Sequence, residues 1–153
     1  MVTKLRRIVT GISDEGKSII LIDGDAANSK EMVSGFSRTD IWTTETTPVD
    51  NTGNEDMGAR DILFPSRSGT LFTYVEIYPG YGVEGPGWHT TDTVDYVVIL
   101  KGEVYFLLEE EEVLLKAGDL LVIRGTNHTW ANRSRKTCAI VGVMIGANPI
   151  SRE

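Results

Sequence analysis

The two histidines of the chain, His89 and His128, are the first candidates for chemistry. Each lies just outside an apolar run, among glycine, threonine, asparagine and tryptophan residues. A histidine in such surroundings can bind a metal, transfer a proton or lie at the surface without a specific role. Asp95 supplies a carboxylate close to His89 in the sequence. The three residues therefore predict either a metal centre or an acid–base centre.

Side-chain alternation along an extended chain groups these residues. If the backbone is extended from His89 to Asp95, their side chains and that of Thr91 point to the same side. By the same rule, His128 and Trp130 share a face. Two imidazoles and one carboxylate that converge can hold a divalent ion and leave positions open for water and substrate.

We therefore expect a site in which His89, Asp95 and His128 are both the catalytic residues and the metal ligands, with Nε2 of each imidazole facing the ion. Arg124 either pairs with a substrate carboxylate at the mouth of the site or balances Asp119 at the surface. The expected substrate contacts are Thr91, Tyr105, Arg124 and Trp130.

The elements that must position these residues are strands. Short runs of Val, Ile, Leu, Phe and Tyr recur with glycines between them, and no segment has a sustained helical period. The spacing predicts an all-β sandwich or small antiparallel barrel. The predicted strands are residues 71–78, 95–100, 103–108, 112–115, 120–123 and 138–145.

The N-terminal part predicts additional strands. Residues 7–10 and 18–22 form an expected hairpin through a turn that contains Gly16. A strand over residues 39–43 is expected to precede a long polar loop. We expect residues 1–70 to pack on a barrel of residues 71–147 within one structural domain.

Composition limits the function classes. The 153 residues include 15 basic and 22 acidic side chains, a net charge of −7 that disfavours a nucleic-acid partner. No apolar run is long enough for a membrane helix, and no apolar stretch follows the basic N-terminus as in a signal peptide. The single cysteine, Cys138, cannot form an internal disulfide, which favours a cytoplasmic location.

The run from Tyr96 to Leu100 is apolar at every position. A strand with one face in water needs only one apolar face, so its second apolar face predicts another sheet or a partner subunit. We expect a homodimer that buries either the N-terminal hairpin or this sheet.

Two segments resemble the conserved motifs of the cupin superfamily, and the resemblance extends over residues 71–145. It implies a small single-domain cupin of the conserved-barrel type, with an RmlC-like jelly-roll fold. The matching residues are Gly82, His89, Asp95 and Gly102 in the first motif, and Gly118, Asp119, His128 and Asn132 in the second.

The chain departs from the cupin pattern at three positions. Thr91 replaces the second histidine, Asp95 replaces a glutamate and Arg124 replaces a proline. The resemblance implies a divalent metal such as Zn, Fe, Ni or Mn, and three states follow. The metal is held by His89, His128 and Asp95, or by the histidines alone, or no metal is bound.

The function implied is action on a small-molecule ligand. The first expectation is non-redox lyase, dehydratase or isomerase chemistry on a small carbonyl or hydroxy-acid metabolite. The alternatives are a metal-free binding protein for a small molecule and a non-haem Fe(II) dioxygenase.

Overall fold

The computed structural model describes residues 2–85 and 87–151, and almost all of its regular structure is strand. A single 3₁₀ turn, Met57–Ala59, is the one helical element of the described residues. This confirms the all-β prediction. The strands are β1 (Arg6–Ile12), β2 (Ser18–Asp25), β3 (Asn28–Val33), β4 (Phe36–Thr44), β5 (Thr70–Ile77), β6 (Thr93–Lys101), β7 (Glu103–Leu107), β8 (Glu112–Lys116), β9 (Leu120–Ile123), β10 (Thr129–Ala131) and β11 (Cys138–Gly146).

The strands form three antiparallel sheets. Six strands are arranged in the order β3-β4-β5-β11-β6-β9, three in the order β10-β7-β8, and β1 pairs with β2 alone. The core lies between the two larger sheets, because its buried side chains come from both. They are Ile77, Val97, Ile99, Ile123, Cys138 and Ile140 from the six-stranded sheet, and Val104, Phe106, Leu115 and Trp130 from the three-stranded sheet.

Alternation along β6 sets the inner wall of the barrel. Thr93, Asp95, Val97 and Ile99 are buried, whereas the alternate residues face outward and Tyr96 is 53% exposed. The register places Asp95 between Met144 of β11 and Ile123 of β9. A carboxylate thus lies within an otherwise apolar row.

The N-terminal residues contribute strands to the same sheet as the rest of the barrel. β4 pairs with β5 along its length, and β3 pairs with β4 at the sheet edge. Strand β3 was not predicted, because its sequence, NSKEMV, is mostly polar. An edge strand with a solvated face does not need an apolar pattern.

The long connection between β4 and β5 is held by buried arginines. Arg38 donates hydrogen bonds to the carbonyls of Leu63 and Ile62, at 2.7 and 2.6 Å. Arg7 donates to the carbonyl of Ile41 and pairs with Asp56. The expected loop is present, and these contacts attach it to the sheets.

The N-terminal hairpin is formed as predicted, and Gly16 adopts a φ of 75° in its turn. None of the helical structure in the described ranges is long and apolar enough to cross a membrane.

Candidate functional site

His89 and His128 are brought together by a direct backbone pairing. Each donates its N–H to the carbonyl of the other at 3.0 Å, forming an isolated antiparallel bridge beyond the ends of β6 and β10. Directly paired residues project their side chains to the same face. The two imidazole centroids consequently lie 4.3 Å apart, with ring planes inclined at 58°.

Backbone carbonyls fix the tautomer of both rings. Nδ1 of His89 lies 2.9 Å from the carbonyl of Gly87, and Nδ1 of His128 lies 2.8 Å from the carbonyl of Thr126. A carbonyl can only accept a hydrogen bond, so Nδ1 carries the proton in both histidines. In the neutral imidazole, Nε2 then has its lone pair free. Both rings can accept a proton or bind a metal through Nε2.

The two histidines differ in burial. His128 is 2% exposed, whereas His89 is exposed at the open side of the pair. Burial lowers the pKa of His128 to about 4, although its hydrogen bond to Thr126 opposes the shift. His128 is therefore an uncharged base at neutral pH.

Aromatic rings form the wall behind His128. Phe106 lies 5.3 Å from His128, and Trp130 meets the same imidazole edge-on at 6.4 Å, between ring centroids. Phe106 and Trp130 also contact each other edge-on at 4.9 Å. This arrangement keeps water from one side of the imidazole and accounts for its low pKa.

Asp95 ends a chain of buried hydroxyl groups. Thr93 donates to Oδ1 of Asp95 at 2.6 Å, and the hydroxyls of Thr91 and Thr93 lie 2.8 Å apart. Since Thr93 uses its hydrogen on the carboxylate, Thr91 is the donor in the second bond. Burial raises the pKa of Asp95, while the bond from Thr93 and the charge of His89 oppose the rise. Thr91, at the position where the cupin pattern has a histidine, is thus part of a hydrogen-bond chain.

The two imidazoles fit a divalent metal ion better than the expected trio does. Their free Nε2 atoms and close rings match the imidazole donors that suit Zn, Fe and Ni. Within residues 2–85 and 87–151, no three His, Cys, Asp or Glu side chains converge as a metal-binding group. One oxygen of Asp95, Oδ1, accepts the hydrogen bond from Thr93.

One of the expected substrate contacts, Tyr105, lies elsewhere. Tyr105 alternates with buried Val104 and Phe106 along β7, so it faces away from the inner wall, and its ring lies 4.2 Å from the guanidinium of Arg133. Arg124 follows β9 and is exposed. Of the four expected contacts, Thr91 lies in the hydroxyl chain that ends at Asp95, and Trp130 contacts His128.

Thr93 and Phe106 are site residues that the sequence reasoning missed. Thr93 carries the bond that orients Asp95, and Phe106 packs on His128. Both could have been found from the alternation of side chains along a strand. Thr93 lies on the same face of its strand as Asp95, and Phe106 lies on the same face as Val104.

Asn132 is a structural member of the second motif. Its amide is fully buried and donates to the carbonyls of Ile77 and Lys136, at 2.8 and 2.9 Å. Its side-chain oxygen accepts from the backbone and hydroxyl of Ser134. The residue therefore ties the loop after β10 to the end of β5, behind the histidine pair.

An antiparallel jelly-roll barrel that carries a paired set of histidines defines a cupin-type protein. The family model described as "Cupin domain" matches residues 73–145 of the chain. An RmlC-like cupin from Shewanella frigidimarina superposes with a TM-score of 0.50 at 10% identity, over 79% of this chain and 85% of that one.

The curated relatives are fungal. The chain is 31% identical to Phomopsin biosynthesis cluster protein C' of Diaporthe leptostromiformis, over 94% of this chain and 79% of that protein. It is 30% identical to the cupin-domain-containing oxidoreductase srdD of Neurospora crassa, over 82% of this chain and 65% of that protein. The chain belongs to the cupin superfamily.

Proposed function

We propose that this cupin acts on a small carbonyl or hydroxy-acid metabolite by non-redox lyase, dehydratase or isomerase chemistry. The observation that carries the proposal is the state of His128, a buried neutral imidazole whose Nε2 lone pair is free. A positioned base of this kind removes a proton from carbon next to a carbonyl group.

Asp95 is the acid that complements this base. Burial disfavours its carboxylate anion, so Asp95 keeps a proton to higher pH than an exposed aspartate. A neutral imidazole and a carboxyl group whose pKa is raised form an acid–base pair set by their environments. In dehydration, His128 would take the proton from carbon and Asp95 would give one to the departing hydroxyl, which leaves as water.

The surroundings suggest how a small substrate binds. The exposed side of the pair, at His89, is where solvent and ligand reach the buried imidazole of His128. The buried rings of Trp130 and Phe106 make the inner side of the site apolar, and the oxygen of the Thr91 hydroxyl can accept a further hydrogen bond. A compact molecule with one oxygen-rich end suits this combination.

A divalent ion is the alternative state of the same site, because the Nε2 lone pair of His128 cannot bind a metal and accept a proton at once. His89 and His128 would be its ligands. Zn, Fe, Ni or Mn bound there would polarise a substrate oxygen as a Lewis acid. Asp95 would remain a proton-transfer group rather than a direct ligand, because no group of three His, Cys, Asp or Glu side chains in the described residues could hold a metal ion.

Proton exchange tests the proposed base with a panel of candidate substrates. The protein is incubated in D₂O with small 2-oxo and 2-hydroxy acids, and ¹H NMR follows loss of the carbon-bound proton signal. We expect exchange with at least one compound by the wild type and its loss in His128→Asn. Exchange that persists unchanged in His128→Asn would contradict the proposed base.

A redox function is the second candidate, favoured by the name of the Neurospora relative, an oxidoreductase. Oxygen uptake measured with added Fe(II) separates the two. Uptake coupled to loss of a panel compound supports the redox function, as a non-haem iron oxygenase. If neither exchange nor uptake occurs but a panel compound binds, the protein is a binding module.

The cytoplasm is the proposed location. Cys138 is the only cysteine in the sequence, and it is buried as a free thiol whose pKa burial raises to about 11. Such a thiol is unreactive in a reducing compartment. Fractionation of the source cells with an antibody against the protein tests this location.

A further inference from the structure

Three turns at the end of the barrel opposite the histidine pair enclose a hollow of about 500 Å³. They follow β6, β8 and β10, and the lining is residues 102–103, 116–117 and 134–136. Asp95 and Lys101 are six positions apart on β6, about 20 Å along an extended strand, so the hollow is separate from the candidate site. We call this feature the basic hollow.

Contacts within and between the turns hold the backbone of the basic hollow in place. The fully buried amide of Asn132 donates to the carbonyl of Lys136 at 2.9 Å, and the N–H of Ala117 donates to the carbonyl of Gly102 at 3.1 Å. Gly102 has a φ of +74°, and a Cβ there would lie 2.7 Å from the carbonyl oxygen of Thr137. The three turns are therefore closely packed and positioned before any ligand binds.

The cations that line the basic hollow lack acidic partners. Lys116, Arg135 and Lys136 are exposed, and within residues 2–85 and 87–151 their side-chain nitrogens form no hydrogen bond or ion pair. Eight other basic side chains in the same ranges do pair with a carboxylate. Acidic residues outnumber basic ones in this chain, so a shortage of carboxylates does not explain the unpaired cations.

The local charge of the basic hollow is opposite in sign to that of the chain. Its described lining has three cations and one carboxylate, Glu103, a local charge of +2 in a chain of net charge −7. Just outside the lining, Lys101 and Asp119 add one charge of each sign. At physiological ionic strength, charges more than about 8 Å away are largely screened. The lining, rather than the net charge, therefore decides which ion binds.

We propose that the basic hollow binds a phosphate dianion, either free or as the phosphate group of a small metabolite. Two negative charges match the local charge of +2. The guanidinium of Arg135 can donate two parallel hydrogen bonds to phosphate oxygens, and the ammonium groups of Lys116 and Lys136 supply compact positive charges. The volume of about 500 Å³ is typical of a small-molecule site and leaves room for a carbon skeleton beside the phosphate.

NMR titration locates the binding of three probes, which are inorganic phosphate, glycerol 3-phosphate and uncharged glycerol. We expect both phosphate compounds, but not glycerol, to shift the backbone ¹H–¹⁵N signals of residues 102–103, 116–117 and 134–136. The signals of His89 and His128 should stay unchanged, and His128→Asn should bind phosphate like the wild type. Tighter binding of glycerol 3-phosphate would assign an organic phosphate to the hollow, and tighter binding of inorganic phosphate would assign the free ion.

Two results of the titration would overturn the proposal. One is a set of shifts confined to His89 and His128, which would place the anion at the candidate site. The other is binding of phosphate and glycerol 3-phosphate that does not saturate at tens of millimolar. Neither result depends on whether the histidine pair catalyses proton transfer, so the two proposals fail independently.

Charge-neutralising variants test the contribution of individual cations. Arg135→Gln and Lys136→Gln should each weaken phosphate binding about tenfold, because each removes a charged hydrogen-bond donor. Arg67→Gln is the matched control, since Arg67 is exposed and outside the hollow and its replacement changes the net charge equally. It should leave binding unchanged, and all three variants should keep the wild-type midpoint of thermal unfolding. Equal weakening in the three variants would overturn the proposal, because the anion would then respond only to net charge. Unchanged binding in both Arg135→Gln and Lys136→Gln would overturn it as well.

Discussion

The imidazoles of His89 and His128 lie 4.3 Å apart because the two residues exchange both of their backbone hydrogen bonds. The pairing joins two segments that are distant in the sequence and brings the two rings into contact. Neither ring can be moved without disturbing the other. The two histidines should therefore act as one functional unit rather than as independent groups.

Replacement of the acid–base residues should lower the rate strongly. A positioned proton-transfer group contributes about 10² to 10⁴ in rate, so His89→Ala, His128→Ala and Asp95→Asn should each reduce kcat/KM by that factor. Because the histidines act as a unit, the double variant should lose little more than either single variant. Steady-state kinetics on a panel compound that the wild type converts would measure this.

Trp88→Phe is the matched control for these variants. Trp88 precedes His89 but is 42% exposed, so its replacement should leave kcat/KM within a factor of about two. If the His89 and His128 variants behave like this control, the pair is not the reactive centre.

Metal binding should depend on the histidines more than on Asp95. We expect His128→Ala to weaken Zn²⁺ binding by at least about 100-fold, because it removes one of two imidazole ligands. Asp95→Asn should weaken it by about tenfold or less, since the described residues contain no three-ligand group that would include that carboxylate. Calorimetric titration with Zn²⁺ and Ni²⁺ provides the comparison. Equal losses in the two variants would instead make Asp95 a direct ligand.

Burial of His128 should make the protein less stable in acid. Its pKa falls from 6.5 in the unfolded chain to about 4 in the folded one, so the unfolded chain binds the proton more readily between these values. The free energy of unfolding is therefore highest, as far as His128 is concerned, above pH 6.5. It decreases progressively as the pH falls toward 4. The full difference between the two pKa values lowers the free energy of unfolding by about 3 kcal/mol.

His128→Asn isolates this contribution. The asparagine amide can still donate to the carbonyl of Thr126 but does not titrate, and the carboxylates that also titrate in acid are unchanged. Urea unfolding across this pH range should show a flatter decline in the free energy of unfolding for the variant. Parallel curves for the two proteins would show that His128 is not the group responsible.

The strands that enclose the core could be predicted from the sequence because they combine apolar content with glycine punctuation. Strands β5 to β9 and β11 begin and end within about two residues of the predictions. β10 was missed because it has only three residues, and β3 because an edge strand carries little apolar signal. Local composition does not encode pairing at a sheet edge.

The site was predictable in part for the same reason. The alternation of side chains along a strand correctly grouped Thr91 with Asp95, since both lie on one wall of the barrel. It also grouped His128 with Trp130. The alternation could not show that the Thr93 hydroxyl donates a hydrogen bond to Asp95, because that bond depends on the side-chain rotamers. It also could not exclude Tyr105, since the face of β7 that points inward is fixed only by packing against the opposite sheet.

Gly82→Ala should be one of the most destabilising single-methyl changes near the site. Gly82 adopts a φ of +70°, and a Cβ there would lie 2.0 Å from the carbonyl oxygen of Trp130. The left-handed backbone costs an alanine roughly 1–2 kcal/mol, and the contact adds roughly 1–3 kcal/mol, because the obstacle is backbone. Relief requires the loop to move away from β10, the strand that directly follows His128. Chemical denaturation should therefore show a loss of roughly 2–5 kcal/mol.

Gly80→Ala separates the two costs in Gly82→Ala. Gly80 also has a positive φ, +88°, but a Cβ there meets no atom within 4 Å. Its replacement should cost only the backbone part, roughly 1–2 kcal/mol. The difference between the variants then measures the contact with Trp130, and only Gly82→Ala should also alter Zn²⁺ affinity, by displacing the strand that follows His128. Equal losses of stability in the two variants would mean that the loop yields freely and does not position the site.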